Sequence, residues 1–425
     1  MAVKSALPRL PYSLTFYQKR FWDMEKAVPG TAAYVLSGML SSPAFTDPGL
    51  LKQAILTMVR NNDATRLRMA ESAAGVQQYA SDGDGDEIDV HDFAQDPGAL
   101  QQWIQHQAPT PIQLLDSPLF HVAIVKTGAR QFGVFFKAHH LIGDEWSSRL
   151  VATQVHGNYL RLANGEELAD QPRYSYLEYV KAEAEYMQSA RFVRDKAYWE
   201  SRFGTLPDRL LADRASSVSC DGNKTGFQAH QLQLASPDTL SDHDRVFVLA
   251  LSLAALSRYF QIVRKEPEVV FGLPIHNRVN HREKNTVGMF ANSALLRVTL
   301  AEHAPRDAFA LEVRKELKAL LKHQRYPYPL LKQHIESTHG IQGHLYQTYV
   351  SYTQIDETRY GLQHFIKHTQ YCPLILRIAR QPDGRTFAFH FYYWESAYSA
   401  QDIAQLFDFV REQFADLEAR TQEAL

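Results

Sequence analysis

Apolar residues recur at helical spacing over residues 12 to 26, YSLTFYQKRFWDMEK, where Leu14, Tyr17, Phe21 and Met24 fall on one stripe. That period predicts an amphipathic helix, with Ser13 placed to cap it. TAAYVLSGML then reads as a strand. DPGLLKQAILTMVRNNDATRLRM predicts a helix opening at Pro48, stopping near Asn61-Asn62 and followed by an extended segment. LFHVAIVKTGARQFGVFFKAHH predicts a hairpin turning at Thr127-Gly128, and DEWSSRLVATQVHGNYLRLA a helix directly after it.

Beyond Pro172 the pattern becomes long, charged and helix-rich through YSYLEYVKAEAEYMQSARFVRDKAYWESRF. LLADRASSVSCDGNKTGF reads as a loop, and DTLSDHDRVFVLALSLAALSRYF as a mainly apolar buried helix. PEVVFGLPI, LYQTYVSYT and RTFAFHFYYWE are strand-like. Helices are expected over about 306 to 323 and over SAQDIAQLFDFVREQFADLEAR. Strands mixed with helices, without short repeats, predict an α+β fold. A chain of 425 residues exceeds what one core usually fills. Two lobes are therefore expected, 1–172 and 173–425.

Composition narrows the function classes. The chain is 45% hydrophobic and 22% charged, with a net charge of −2 and no basic cluster. Nothing steers it toward nucleic acid. Two cysteines, Cys220 and Cys372, make neither a disulfide framework nor a zinc spacing. The N-terminus lacks a signal-peptide core, and no run of about 18 apolar residues stands out, so neither export nor a membrane span is expected. A cytoplasmic location follows as an expectation.

The candidate chemistry sits in FFKAHHLIGDEWSSRL, residues 135 to 150. Side chains alternate along a strand, so His139 and His140 cannot both face one site. One should point inward and the other toward the strand end. Asp144 lies in the short link before the next helix, and Ser147 in that helix's first turn. Three readings stay open on these residues alone: a satisfied polar pair, a metal site, and acid–base chemistry by one aimed imidazole. The opposed histidines argue against a metal.

HHLIGDEWS resembles the His-His-x-x-x-Asp signature of the condensation domains of nonribosomal peptide synthetases, within the chloramphenicol acetyltransferase-like acyltransferases. Further blocks resemble the family in its order. SLTFYQKRFW matches the Ser-x-x-Gln-x-Arg block through Ser13, Gln18 and Arg20. VRNNDATRLRM matches the Arg-x-x-x-x-Leu-Arg block, from Arg60 to Arg68, and YSYLEYV the aromatic segment. FGLPIHNRVNHREKNTVGMFANS carries Gly272, Pro274, Arg278, Gly288, Phe290 and Asn292. KHQRYPYPLL matches the His-Gln-x-x-Tyr-Pro block.

The resemblance implies two similar α+β lobes in a V, with the signature in the first and the Gly-x-Phe-x-Asn block in the second, closing a central tunnel. A donor acyl thioester and an acceptor aminoacyl thioester would meet there on phosphopantetheine arms, and the acceptor amine would attack the donor carbonyl. By position His140 is the catalytic histidine. His139, Gly143, Asp144, Ser147 and Arg278 support it, with Asp144 paired to Arg278. Glu145, Trp146, Phe290, Asn292 and Gln354 are assigned to the tunnel lining. Glu145 departs from the glycine common in relatives; it is either a solvated helix-start residue or a carboxylate near the tunnel. Trp146 is either core or tunnel wall.

Within the family, RNNDATRLR, the segment from Tyr176 to Phe203 and NRVNHREKNTVGMFANS look most like starter-type domains. These transfer a fatty or other acyl group from coenzyme A to the amine of an aminoacyl carrier protein. The small residues Ala291, Ser293 and Ala294 leave room for an acyl tail, or simply pack in a strand. The runner-up is an elongation domain taking a peptidyl donor. An acyltransferase for a soluble amine or alcohol, an epimerase and a noncatalytic docking scaffold are the remaining readings. The expected partners are an acyl-CoA or acyl carrier donor, an aminoacyl carrier acceptor and a downstream adenylation domain. No covalent cofactor and no metal are expected. The chain starts close to the first block, as a chain-initiating or freestanding enzyme would, and an excised domain would look the same.

Overall fold

The computed structural model describes residues 11–423 except 74, 83–87, 170–173, 209–223, 235–244, 300–305, 355–360, 366–371 and 382. Most of the expected loop after residue 209, Cys220, the start of the apolar helix and the boundary at Pro172 lie outside the described residues.

The chain divides into two compact units. The first begins with strand β1 (Tyr12–Ser13) and helix α1 (Phe16–Ala27), then β2 (Val35–Ser41) and α2 (Pro48–Asn61). It continues through β3 (Leu67–Ser72), β4 (Gly75–Ala80), β5 (Asp89–Asp92) and α3 (Pro97–Gln107). It ends with β6 (Phe120–Gly128), β7 (Gln131–His139), α4 (Glu145–Ala163) and α5 (Tyr176–Met187). Residues 276–291 and the strand Leu362–His364 also belong to it. Its main sheet runs (Leu362–His364)-β2-β7-β6-β5, with β7 in the middle, and a smaller sheet runs β1-β4-β3.

Local chemistry explains where these elements start. Asp47 caps α2, accepting from the N–H groups of Gly49 and Leu50 ahead of Pro48 at the first turn. Thr15, not Ser13, caps α1. It accepts from the Gln18 N–H while the Gln18 side chain accepts the Thr15 N–H, a reciprocal capping box. Ser13 instead pairs with Gln77 in the small sheet. The Ser-x-x-Gln correspondence therefore moves to Thr15, because the box needs its hydroxyl three residues before the glutamine. The hairpin expected at Thr127-Gly128 turns two residues later, at Ala129-Arg130, since Gly128 still pairs with Gln131.

In the second unit, a six-stranded sheet orders its strands Asn292–Thr299, Glu268–Ile275, Thr348–Gln354, Leu374–Arg380, Thr386–Trp394 and Thr225–Gln233. Helices Arg245–Val263, Arg306–Lys322 and Ala400–Glu423 pack with it. Contrary to the sequence expectation, Val246–Val263 is apolar enough to cross a membrane by length and composition, with a mean hydropathy of 1.8. In the fold it is a core helix: Leu251, Leu253, Ala254, Leu256, Tyr259 and Phe260 are buried. The units also differ from the contiguous halves divided at 172. Helix α5 stays with the first unit, as does Leu362–His364, which adds to β2 by backbone pairing. Gly288 and Phe290 fall in the first unit and Asn292 in the second.

Candidate active site

The site begins where β7 ends. Its apolar run from Phe132 to Phe136 is buried, and its neighbours β2 and β6 hold it on both sides. The last residue, His139, points inward and is almost fully buried. Its Nδ1 accepts the Leu141 N–H at 3.1 Å, so its proton sits on Nε2. That nitrogen lies 3.7 Å from a carboxylate oxygen of buried Glu25, outside hydrogen-bond range.

His140 takes the other direction. Its backbone N–H donates to the Tyr34 carbonyl at 2.8 Å. Its ring is half-buried and lies flat on Phe21, with centroids 5.0 Å apart and planes 5° apart. Nδ1 is 3.1 Å from the Gly143 carbonyl oxygen. A carbonyl only accepts, so Nδ1 carries the proton and Nε2 keeps its lone pair. Burial pushes the imidazole down to about 4, helped by His139 and opposed by Asp144, Gly143 and Glu145. At neutral pH the ring is therefore uncharged and Nε2 is an acceptor.

Gly143 supplies only its carbonyl. A Cβ there would come no closer than 3.5 Å, to Ser147 Cβ, an ordinary contact.

Asp144 caps α4 and is saturated. Its Oδ1 accepts the Ser147 N–H at 2.8 Å and Arg278 Nη2 at 2.9 Å. Its Oδ2 accepts Arg278 Nη2 at 3.1 Å and the N–H groups of Phe290 and Ala291 at 3.2 Å each. The Ser147 hydroxyl lies 2.8 Å from Asp144 Oδ1 and 2.7 Å from the Gly288 carbonyl, and accepts from Arg278 and the Gly288 N–H. Arg278 spends its other arm on the carbonyls of Glu283 and Thr286, and its guanidinium lies 3.9 Å over the Phe290 ring. Burial alone would raise the Asp144 pKa; Arg278 and the Ser147 donors outweigh it and hold the carboxyl below its usual range. This cluster is a scaffold with little capacity left for a ligand.

The residues assigned to a tunnel wall separate. Glu145 begins α4 in ordinary helical backbone, so glycine is not required there, and it pairs with Arg149 at 2.9 Å. Trp146 is half-buried, donating its indole N–H to the Lys284 carbonyl and packing on His276. Phe290 is buried among Tyr176, Tyr179 and Arg278. Asn292 belongs to the second unit. Its amide donates to the carbonyls of Gln324 and Tyr326, and its oxygen accepts from Ser293 and Tyr328, which makes it a clasp for the 324–328 turn. Gln354 ends a second-unit strand opposite Arg380, and its side chain lies outside the described residues. Sequence reasoning placed Phe21 only on an apolar stripe and overlooked Glu25. The signal available for both was their spacing from Gln18 on one helix face.

Comparison with known proteins identifies the family. A family model described as Condensation domain matches residues 10–424. Surfactin synthase subunit 1 of Bacillus subtilis (strain 168) is 31% identical over 335 residues, 77% of this chain. A plipastatin synthase subunit of the same organism is 25% identical over 409 residues, 93% of this chain. The chain spans 9% and 16% of the lengths of those two proteins. Among solved structures, a mutant starter condensation domain of rhizomide synthetase RzmA, in complex with C8-CoA and Leu-SNAC, matches with a TM-score of 0.79 at 22% identity. The match covers 96% of this chain and 94% of that one. The first condensation domain of the calcium-dependent antibiotic synthetase matches with a TM-score of 0.71 at 19% identity, over 96% and 97% of the two chains. At these identities the solved structures establish the fold, and the family model establishes membership. The chain belongs to the condensation domain family of nonribosomal peptide synthetases, acyltransferases that form amide bonds.

Proposed function

We propose that this domain is a starter-type condensation domain, transferring an acyl group from acyl-CoA to the amine of an aminoacyl thioester held by a carrier protein. The observation that carries the chemistry is the open Nε2 of His140, set by the Nδ1 contact to the Gly143 carbonyl. The starter assignment is supported by the resemblance of RNNDATRLR and the Gly288–Asn292 region, and by the fold match to a starter domain crystallised with C8-CoA.

In this reading the amine lone pair attacks the thioester carbonyl carbon, a C–N bond forms and the C–S bond breaks. The amine proton ends on the departing CoA sulfur. A free α-amine has a pKa of about 8, so reaching its neutral form at pH 7 costs only about 1.4 kcal/mol. A strong base is not needed before attack. An imidazole held near 4 is a weak base and a good neutral acceptor. His140 therefore chiefly orients the amine through an N–H···Nε2 hydrogen bond and relays its proton after the C–N bond has formed. Orientation of this kind is a major source of rate. His139, Asp144, Ser147 and Arg278 hold the turn in place.

The test is intact-mass spectrometry of an aminoacyl carrier incubated with the domain and acyl-CoAs, C8-CoA among them, with Leu-SNAC as a carrier-free acceptor. A mass gain of one acyl group from CoA is expected. Gain only from an acyl or peptidyl carrier donor would overturn the starter reading in favour of an elongation domain.

A further inference from the structure

Helix α1 meets the His-His turn at three points. Gln18 Nε2 donates to the Leu141 carbonyl at 2.8 Å, Phe21 lies flat on His140, and Glu25 faces His139. Positions 18, 21 and 25 are three and four apart and so share one helix face. Phe21 is itself held by Tyr34, at 5.4 Å and 58°, and by the edge of Tyr17, at 6.2 Å and 64°. Tyr34 also supplies the carbonyl that anchors the His140 backbone.

The imidazole lone pair lies in the ring plane, and the second side-chain torsion of histidine has a broad minimum. A hydrogen bond to Gly143 by itself leaves the ring free to pivot about that contact; a flat partner removes the freedom. We propose that Phe21 is a positioning residue, whose ring sets the plane of the His140 imidazole and hence the direction of its open Nε2 lone pair. The proposal rests on the reading of His140 as the group that receives the amine. Packing alone would ask only for apolar volume at position 21, whereas plane-setting asks for a flat ring.

Phe21→Leu keeps apolar volume and loses flatness; Phe21→Tyr keeps both. In the acyl transfer assay with C8-CoA and Leu-SNAC, Phe21→Leu is expected to lower kcat about tenfold, with both KM values within about twofold of the parent. Phe21→Tyr is expected to stay within about twofold. Nitrogen NMR of the His140 ring should show one Nδ1-protonated tautomer in the parent and exchange between tautomers in Phe21→Leu. Leu and Tyr variants within about threefold of each other in kcat, a kcat loss that merely follows a loss of folded protein in thermal melts, or an unchanged single tautomer in Phe21→Leu would each overturn it. His140→Ala is run alongside. If that variant keeps its turnover, the reading of His140 fails, and the ring spectrum alone decides whether Phe21 orients it.

Discussion

Asp144 and His140 lie four residues apart in one turn and are treated in opposite ways. Every lone pair of Asp144 is used, by an arginine, a serine and two backbone N–H groups, in a place water does not reach. Among the described residues, His140 makes one side-chain hydrogen bond and one ring contact, stays partly accessible and keeps one nitrogen open. A buried charge must be fully paired to be tolerated, so its bonds have no spare capacity for substrate. A group that acts must keep an atom unspent. The turn thus contains its own scaffold and its own reagent.

Four measurements test that division. Arg278→Ala leaves the Asp144 carboxylate buried without its cation, and urea unfolding should report a loss of about 3–5 kcal/mol. His140→Ala should do the reverse. Amide formation, followed by mass spectrometry, should fall at least about a hundredfold, equivalent to about 2.7 kcal/mol, while the urea midpoint hardly moves. Near-normal turnover in that variant would remove the reagent from the picture.

Ser147→Ala removes a buried hydroxyl that serves Asp144, Arg278 and Gly288, and should cost about 1–3 kcal/mol of stability with little change in the kcat of the folded fraction. Gly143→Ala should give the smallest effect. The carbonyl that His140 uses persists and the added Cβ meets only an ordinary contact, so stability should stay within about 0.5 kcal/mol and turnover near the parent's.

The two groups also differ in acid. The folded-state pKa of His140 is lowered to about 4, below its unfolded value of about 6.5, so the unfolded chain binds more protons between those values. Stability from this group is full above the upper value and falls with pH through that window. The Asp144 pKa is also depressed, and its contribution is lost only on further acidification, below the ordinary carboxylate range. Urea melts of His140→Asn should therefore show a flatter dependence between about pH 4 and 6.5 than the parent. An equal slope in both proteins would mean the ring is not desolvated.

Much of this was legible in the sequence, for reasons that can be named. Helices Pro48–Asn61 and Arg306–Lys322 carry clear periodicity, and Pro48–Asn61 and Glu145–Ala163 carry clear aspartate caps, so their bounds were readable nearly to the residue. The opposed facing of His139 and His140 follows from alternation at a strand end. Elements with weak local signals were overlooked: β4, helix α3, and the strand Leu374–Arg380, whose identity depends on partners far away in the chain. The cap of α1 was misplaced because two hydroxyl residues compete there, and only the reciprocal bond with Gln18 decides between them.

For the site, the chain's own order of residues determined which side chains exist to do chemistry, because the backbone period and the helix start at Asp144 are local matters. It could not determine that Asn292 is consumed by the 324–328 turn, that Arg278 spends both arms within its own unit, or that a phenylalanine 119 positions earlier lies flat on the imidazole. Those are decided by packing between segments distant along the chain. Local spacing carries no information about such distances, and only the folded structure fixes which atoms are spent and which one is left open.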